Sequence, residues 1–576
     1  MKRTYINIIS ACCLVFGGLT ACTDVWDEHY QANPTLSGDE NLWELIASNP
    51  NLTEFAALLE ATGYDTLLTK NRTYTVWAPT QMPEDFDVAL LEAASDSMLN
   101  VYRKEIVENH IANFSHVAGG IRDKEDKKNY KKVEMLNGKS YDFTGSTSDS
   151  YKLAGKGLNS TNLLARNGVL HVVNGCNEFA ANIWEQLAKE PLVSKLYAYL
   201  YKDYKREFNP AASVPGPFEE GKPTYLDSAF TESCRWFYEI GQLNKEDSSY
   251  TMYAPSDAAW ERMHEMTKKY FVYLPTINLK DASMSLEQVT DSIAKEVMIR
   301  NFVFSNTVNE LYFNGQKDTL ISTSKQMFVG HEADSLKYNT IKEYTRLSNG
   351  ELYVVDEVNY NPFTCWHDTL RVEGESLWYQ NNKDDKYFAA ASAEGKSINK
   401  TNLIYDKISK NSVGVFTPIE VQGKPTLKFY VNDILSGYYR VSIVLLPPHL
   451  INPADTAFIK PNKFNARLYY ADGLQNSGRL GVDENGDGKD FISDPTKIDT
   501  IVLAECIKIP YSEYRVSSLG SNEQKTRLEL ETTITFGPNK KYDNQGMKKD
   551  ASKWNYDNSY RIDQVLFEPI EAPEGE

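Results

Sequence analysis

The residues best suited to chemistry lie late in the chain, in Asp483-Glu484-Asn485-Gly486-Asp487-Gly488-Lys489-Asp490-Phe491-Ile492-Ser493-Asp494. Side-chain oxygens at the first, third and fifth positions and glycine at the sixth have the spacing of a calcium loop, with Lys489 offering its backbone carbonyl at the seventh. Asp494 takes the twelfth position, where a longer glutamate usually gives bidentate contact. Calcium is the one cofactor this pattern suggests, with Asp483, Asn485, Asp487, Lys489 and Asp494 as its candidate ligands. The competing reading is an acidic hairpin tip on Asn-Gly and Asp-Gly turns. Elsewhere the spacings of catalysis are missing. The eight histidines (His29, His110, His116, His171, His264, His331, His367 and His449) form no HExxH, and there is no GxSxG elbow, phosphate loop or dinucleotide fingerprint. A glycosidase pair would need two of the 79 acidic residues at a set separation in space, which sequence does not define. Beyond the N-terminal segment, Cys176, Cys234, Cys365 and Cys506 are dispersed without a CxxC and are expected as small buried apolar residues.

The N-terminus runs Lys2-Arg3, an apolar stretch from Tyr5 to Gly18, then Leu19-Thr20-Ala21-Cys22. The apolar stretch is shorter than the roughly 20 residues that a helix needs to cross a bilayer. Its basic start, short apolar core and small residues before a cysteine resemble a lipoprotein signal with its lipobox. That resemblance implies a signal peptide at 1–21, a mature chain beginning at lipid-modified Cys22, and a polar tether over 22–38. Thr23 follows the cysteine, and Asp24, Asp27 and Glu28 are similar to export signals of surface lipoproteins in Bacteroides-like bacteria. The implied location is the outer membrane, lipid-anchored, at the cell surface. The net charge of −18, which falls to about −20 once Lys2 and Arg3 leave, argues against nucleic acid as a partner. The one basic patch, Lys127-Lys128-Asn129-Tyr130-Lys131-Lys132, follows Asp123, Glu125 and Asp126 and reads as a solvated loop.

Positioning elements come next. From Asn41, helical spacing (Leu42, Leu45, Ile46; then Leu52, Phe55, Leu58, Leu59) precedes a strand, Arg72-Thr73-Tyr74-Thr75-Val76-Trp77-Ala78-Pro79-Thr80, which proline closes. A helical segment, Leu99 to Phe114, leads to Asn167-Gly168-Val169-Leu170-His171-Val172-Val173, a turn followed by a buried strand. The same order returns in Ser249-Tyr250-Thr251-Met252-Tyr253-Ala254-Pro255 and Asn349-Gly350-Glu351-Leu352-Tyr353-Val354-Val355. Pro79 and His171 are 92 positions apart, and Pro255 and Tyr353 are 98 apart. A Pro/Gly-rich insert, Asn209 to Pro223, reads as a surface loop.

These landmarks resemble the fasciclin-type domain: an Ala-Pro box (Tyr74 to Thr80), a central histidine (His110) and a closing strand (Gly168 to Val173). In the second copy Asn301 and Tyr353 stand at the two histidine positions. The resemblance implies a fasciclin-type module twice over residues 39–360, with adhesion as its associated role. It also implies that His110 and His171 hold buried hydrogen bonds rather than catalyse.

From Asn361 onward, short strands separated by turn residues suggest an antiparallel sandwich or jelly roll: Thr426–Val431, Tyr438–Pro447, Arg527–Phe536 and Tyr560–Pro569. The Gly437–Val441 and Ile562–Val565 strands resemble those of galactose-binding-type modules. Trp366, Trp378, Tyr379 and Trp554 are candidate stacking surfaces for sugars. The fold expected is α+β and multidomain: fasciclin-type domains at 39–185 and 186–360, then an all-β domain at 361–576. The expected function is non-catalytic adhesion or ligand capture, glycans and other envelope proteins being the partners. A polysaccharide hydrolase or lyase, and a scaffold for partner lipoproteins, are the alternatives.

Overall fold

The computed structural model describes residues 38–119, 130–219, 222–227, 230–329, 341–356, 361–375, 391–418, 426–455, 459–471, 478–481, 489–521, 527–532, 556–557 and 559–575. Cys22, Asp483, Asn485 and Asp487, and the aromatic candidates Trp378, Tyr379 and Trp554, lie outside them. No helix among the described residues is long and apolar enough to cross a membrane.

The first unit is a seven-stranded sheet of β1 (Tyr74–Pro79), β2 (Ile111–Asn113), β3 (Tyr130–Glu134), β4 (Ser140–Thr144), β5 (Lys152–Leu153), β6 (Lys156–Ala165) and β7 (Gly168–Val173), in the order β2-β1-β7-β6-β5-β4-β3. β1 and β7 are parallel, in register from Tyr74↔Gly168 to Pro79↔Val173, and every residue of both is buried. Side-chain alternation along β1 sorts the core into two layers. Tyr74, Val76 and Ala78 meet Leu42, Phe55 and Leu58 from the helices, while Trp77 meets Val133, Phe143 and Leu153. Part of the basic patch is strand rather than loop, since Tyr130–Lys132 pair with Asp142–Thr144 and so satisfy their backbone in a ladder.

A buried asparagine joins these elements. The Asn167 side chain accepts from the Leu42 amide at 2.9 Å and donates to the carbonyls of Leu68 at 2.7 Å and Lys70 at 2.9 Å. Its own carbonyl accepts the first amide of β1, Tyr74. The next residue must be glycine, because a Cβ at Gly168 would collide with the Tyr74 carbonyl oxygen and the Leu42 side chain.

The second unit repeats this scheme. After β8 (Lys205–Phe208), β9 (Val214–Glu219), β10 (Lys222–Asp227) and β11 (Phe230–Ser233) come β12 (Tyr250–Pro255), β13 (Asn278–Leu279), β14 (Val303–Ser305), β15 (Thr319–Ile321), β16 (Met327–Val329), β17 (Ile341–Leu347) and β18 (Gly350–Val355). The sheet order is β14-β12-β18-β17, with β12 and β18 parallel from Tyr250↔Gly350 to Pro255↔Val355. Asn349 accepts from the Ile183 amide at 2.9 Å and donates to Leu243 at 2.8 Å and Lys245 at 3.0 Å, with the same geometry as Asn167. The Ile183–Lys189 helix spans the expected border at 185/186. Its Ile183, Trp184 and Leu187 pack in the second unit's core, so the border lies ahead of Asn182. The Pro/Gly-rich insert is also not a plain loop. β9 and β10 pair as a two-stranded ribbon, whose free edges tolerate prolines that have no N–H to donate.

The C-terminal unit holds β19 (Leu370–Glu373), β20 (Ala391–Ser397), β21 (Ser412–Pro418), β22 (Thr426–Tyr430), β23 (Gly437–Leu445), β24 (Lys463–Tyr470), β25 (Gly478–Gly481), β26 (Lys489–Ile492), β27 (Asp499–Ile509), β28 (Gly520–Ser521), β29 (Arg527–Thr532) and β30 (Tyr560–Ile570). One sheet runs β20-β21-β30-β23-β27 with β19 also on β30; the other runs β22-β29-β24-β25 with β26 also on β24. Both are antiparallel throughout. Phe416, Ile443 and Phe567 of the first share a core with Phe429, Phe464 and Leu468 of the second.

The three units are joined by built contacts. Lys139, 2% exposed, reaches from the first unit to Glu185 at 2.7 Å and Glu246 at 2.6 Å. Burial raises the Glu185 carboxyl, but Lys104 and Lys139 outweigh that and hold it below the usual carboxylate range. Between the second and C-terminal units, β13 pairs with β28 and Arg515 pairs with Glu296 at 2.7 Å. Phe271, Tyr273 and Leu274 pack there against Leu435 and Val516.

Candidate functional site

An open recess in the first unit lies where β1 and β7 end together. The chain leaving β1 gives Thr80, Gln81 and Met82, and the residue after β7 gives Asn174. β6, whose register with β7 slips between Leu158 and Ser160, gives Asn159 and Ser160. The opposite wall is the Asn49–Glu54 turn, held because the Asn49 side chain accepts from the Asn51 amide at 3.0 Å. The recess has a volume of about 600 Å³. Thr80 is fixed by donating both its amide and its hydroxyl to the Val173 carbonyl. Gln81, Asn159, Ser160 and Asn174 are exposed. Apart from Glu54, every polar side chain lining it is an uncharged amide or hydroxyl. Such a surface offers hydrogen-bond donors and acceptors to a polar ligand.

The histidines that mark the fasciclin-type pattern lie inside the first unit. His110 donates from Nδ1 to the Ile106 carbonyl at 2.7 Å and accepts from the Asn177 amide at Nε2 at 2.9 Å. His171 accepts from the Asn162 amide at Nδ1 and donates from Nε2 to the His116 carbonyl at 2.9 Å. Both rings are neutral and use both nitrogens. The second copy reproduces these functions with other residues. Asn301 donates to the Val297 carbonyl four residues back, as His110 does to Ile106. Tyr353 stacks on Tyr253 at 5.2 Å, as His171 stacks on Trp77 at 5.5 Å.

Of the calcium candidates, Lys489 opens β26, paired to Ala466, and Asp494 lies just beyond that strand. The Asp494 carboxylate accepts from the Thr496 amide at 2.9 Å and hydroxyl at 2.6 Å, which hold its carboxyl below the usual range. Among the described residues, no three His, Cys, Asp or Glu side chains are grouped to hold a metal ion. The carboxylates brought together in the C-terminal unit, Asp563 and Glu373, are buried under Ser409. Burial pushes Asp563 up to about 6, with Glu373 adding to the rise. This pair is closed off rather than set in a cleft. Of the cysteines among the described residues, Cys234 and Cys365 are buried as expected, Cys176 is half-buried, and Cys506 is exposed on β27.

Burial lowers His110 and His171 from the ordinary 6.5 to about 4. The unfolded chain therefore takes up protons first. Stability from these rings is complete above about pH 6.5 and is lost as pH falls toward 4, by up to about 3 kcal/mol each. Equilibrium unfolding between pH 7 and 4 should show this decline, and ring proton resonances of both histidines should not titrate above pH 5. A ring that titrates near 6.5 would refute it.

The fasciclin domain family model matches residues 50–176. No curated protein matches the chain. Among solved structures, a FAS1 domain pair from the insect cell adhesion molecule Fasciclin I is 13% identical, covering 54% of this chain and 97% of that one, with a TM-score of 0.19. A GH26-CBM35 β-(1,4)-mannanase of Podospora anserina is 10% identical over 36% of this chain and 29% of its own, with a TM-score of 0.18. A Paenibacillus xanthan lyase is 10% identical over 39% of this chain and 16% of its own, with a TM-score of 0.19. Residues 50–176 of this mixed α/β, multidomain chain are a fasciclin domain.

Proposed function

We propose that this chain is a non-catalytic surface protein for adhesion or ligand capture, with neutral glycan as its ligand. In this reading two fasciclin-type units precede a C-terminal β-sandwich, and lipid on Cys22 anchors the protein to the outer membrane. The observation that carries it is the exposed recess of the first unit, lined by uncharged amides and hydroxyls rather than by a catalytic pair. Such groups match sugar hydroxyls, which both donate and accept. The buried, fully bonded histidines support the same reading, because they position strands and are closed to substrate.

Probing an array of neutral polysaccharides with the full chain tests capture. Retention of intact polymer is expected, and Asn159→Ala with Asn174→Ala should weaken it about tenfold, the effect of losing about one net hydrogen bond. Release of reducing ends would replace capture with hydrolysis, and undiminished binding by the double variant would exclude this recess.

The anchor has its own test. Cys22→Ser should move the protein from the membrane fraction to the soluble fraction, because a single thiol carries the lipid. Unchanged membrane retention would contradict it.

A further inference from the structure

We propose a second binding site, for a single sugar ring, at the seam between the second unit and the C-terminal unit. A cavity of about 170 Å³ opens there. Protein cavities of ~150 Å³ accept one six-membered ring. Its apolar surface comes from Phe271, stacked on Trp366 at 5.7 Å, and from Val297 and Leu435. The exposed carboxylates of Asp368 and Asp433 stand at its rim. Arg300 also lines it, but Glu239 at 3.0 Å and Glu296 at 2.7 Å already hold that charge.

Two buried polar atoms on adjacent residues specify the ligand chemistry. Tyr439 donates its hydroxyl to the Leu435 carbonyl at 2.8 Å, so its oxygen accepts from His367 Nε2 at 2.9 Å. His367, 2% exposed, therefore carries a bare lone pair on Nδ1, which has no partner among the described residues. Trp366 Nε1–H is likewise buried without a partner. One orphan requires a donor and the other an acceptor, and leaving both unmet is costly.

A hydroxyl supplies both functions. An ammonium ion has no acceptor for Trp366, an ionised carboxylate has no donor for His367, and either a carboxylate or a phosphate would face the negative charges of Asp368 and Asp433. An unsubstituted apolar ring answers neither atom. A polyhydroxylated ring meets both orphans and the rim carboxylates, and its C–H face can lie on the Phe271 and Trp366 rings. The site does not depend on the recess of the first unit, and its occupant would touch both units and the connector between them.

Titration of the full chain with glucose, galactose, mannose, xylose and N-acetylglucosamine tests this. At least one sugar should give saturable heat, raise Tm progressively as its concentration passes Kd and shift the Trp366 indole N–H resonance. Trp366→Phe keeps an aromatic ring but removes the donor and should weaken binding about tenfold, while Asn159→Ala in the first unit should leave it unchanged. Asp433→Asn, which suits the left-handed backbone there, should weaken it as well. If no sugar binds saturably, or if the Trp366 N–H does not respond, the proposal is overturned. Binding lost in Asn159→Ala but retained in Trp366→Phe would overturn it too, and would assign the sugar to the recess.

Discussion

The structure depends on a buried asparagine followed by glycine, used twice. Asn167 and Asn349 each tie the first helix of a unit, the loop before its first central strand and that strand itself into one hydrogen-bonded knot. In both, the amide side chain uses its acceptor and both donors within the protein, so removing it would strand several buried backbone groups together. The glycine that follows lets the second parallel strand approach the first closely, which no side chain would allow. Parallel pairing requires a long crossover, and this knot closes it.

From that frame the rest of the architecture follows. Each knot presents a central parallel pair, and in the first unit the Asn49–Glu54 turn and the irregular β6 edge make the far end of that pair a recess. Units so closed can also be held to their neighbours. A buried lysine between two carboxylates is favourable only when its charge is well matched, and Lys139 finds both partners across the first seam. The second seam uses strand pairing and aromatic packing, and it traps the cavity beside His367.

Much of this was legible in the sequence. The Ala-Pro and Asn-Gly strands could be read because these central strands are mostly apolar and end at proline or begin at glycine. The duplication followed from their order. Asn167 and Asn349 read only as turn residues, since their side-chain partners lie between 97 and 166 residues away. A signal was present: Asn41-Leu42-Trp43-Glu44 and Asn182-Ile183-Trp184-Glu185 are one motif, and each forms a capping box at the start of its unit. Its recurrence would have set the border ahead of Asn182. The Pro/Gly insert was misread because a two-stranded ribbon accepts prolines that a wider sheet rejects. Neither recess could be read from spacing. One gathers residues from Asn49 to Asn174, the other from Phe271 to Tyr514, and folding alone brings them together.

Native-state hydrogen exchange at the Ile183 amide, which Asn349 accepts, is the most direct measurement of this account, and it avoids assigning a single unfolding energy to a multidomain chain. The amide should belong to the slowest-exchanging class in the native chain, and Asn349→Ala should speed its exchange about a hundredfold, as the loss of roughly 3 kcal/mol would require. The Leu42 amide, held by Asn167, should stay protected in that variant. An Ile183 amide that exchanges equally slowly without Asn349 would contradict the central role given to the asparagine.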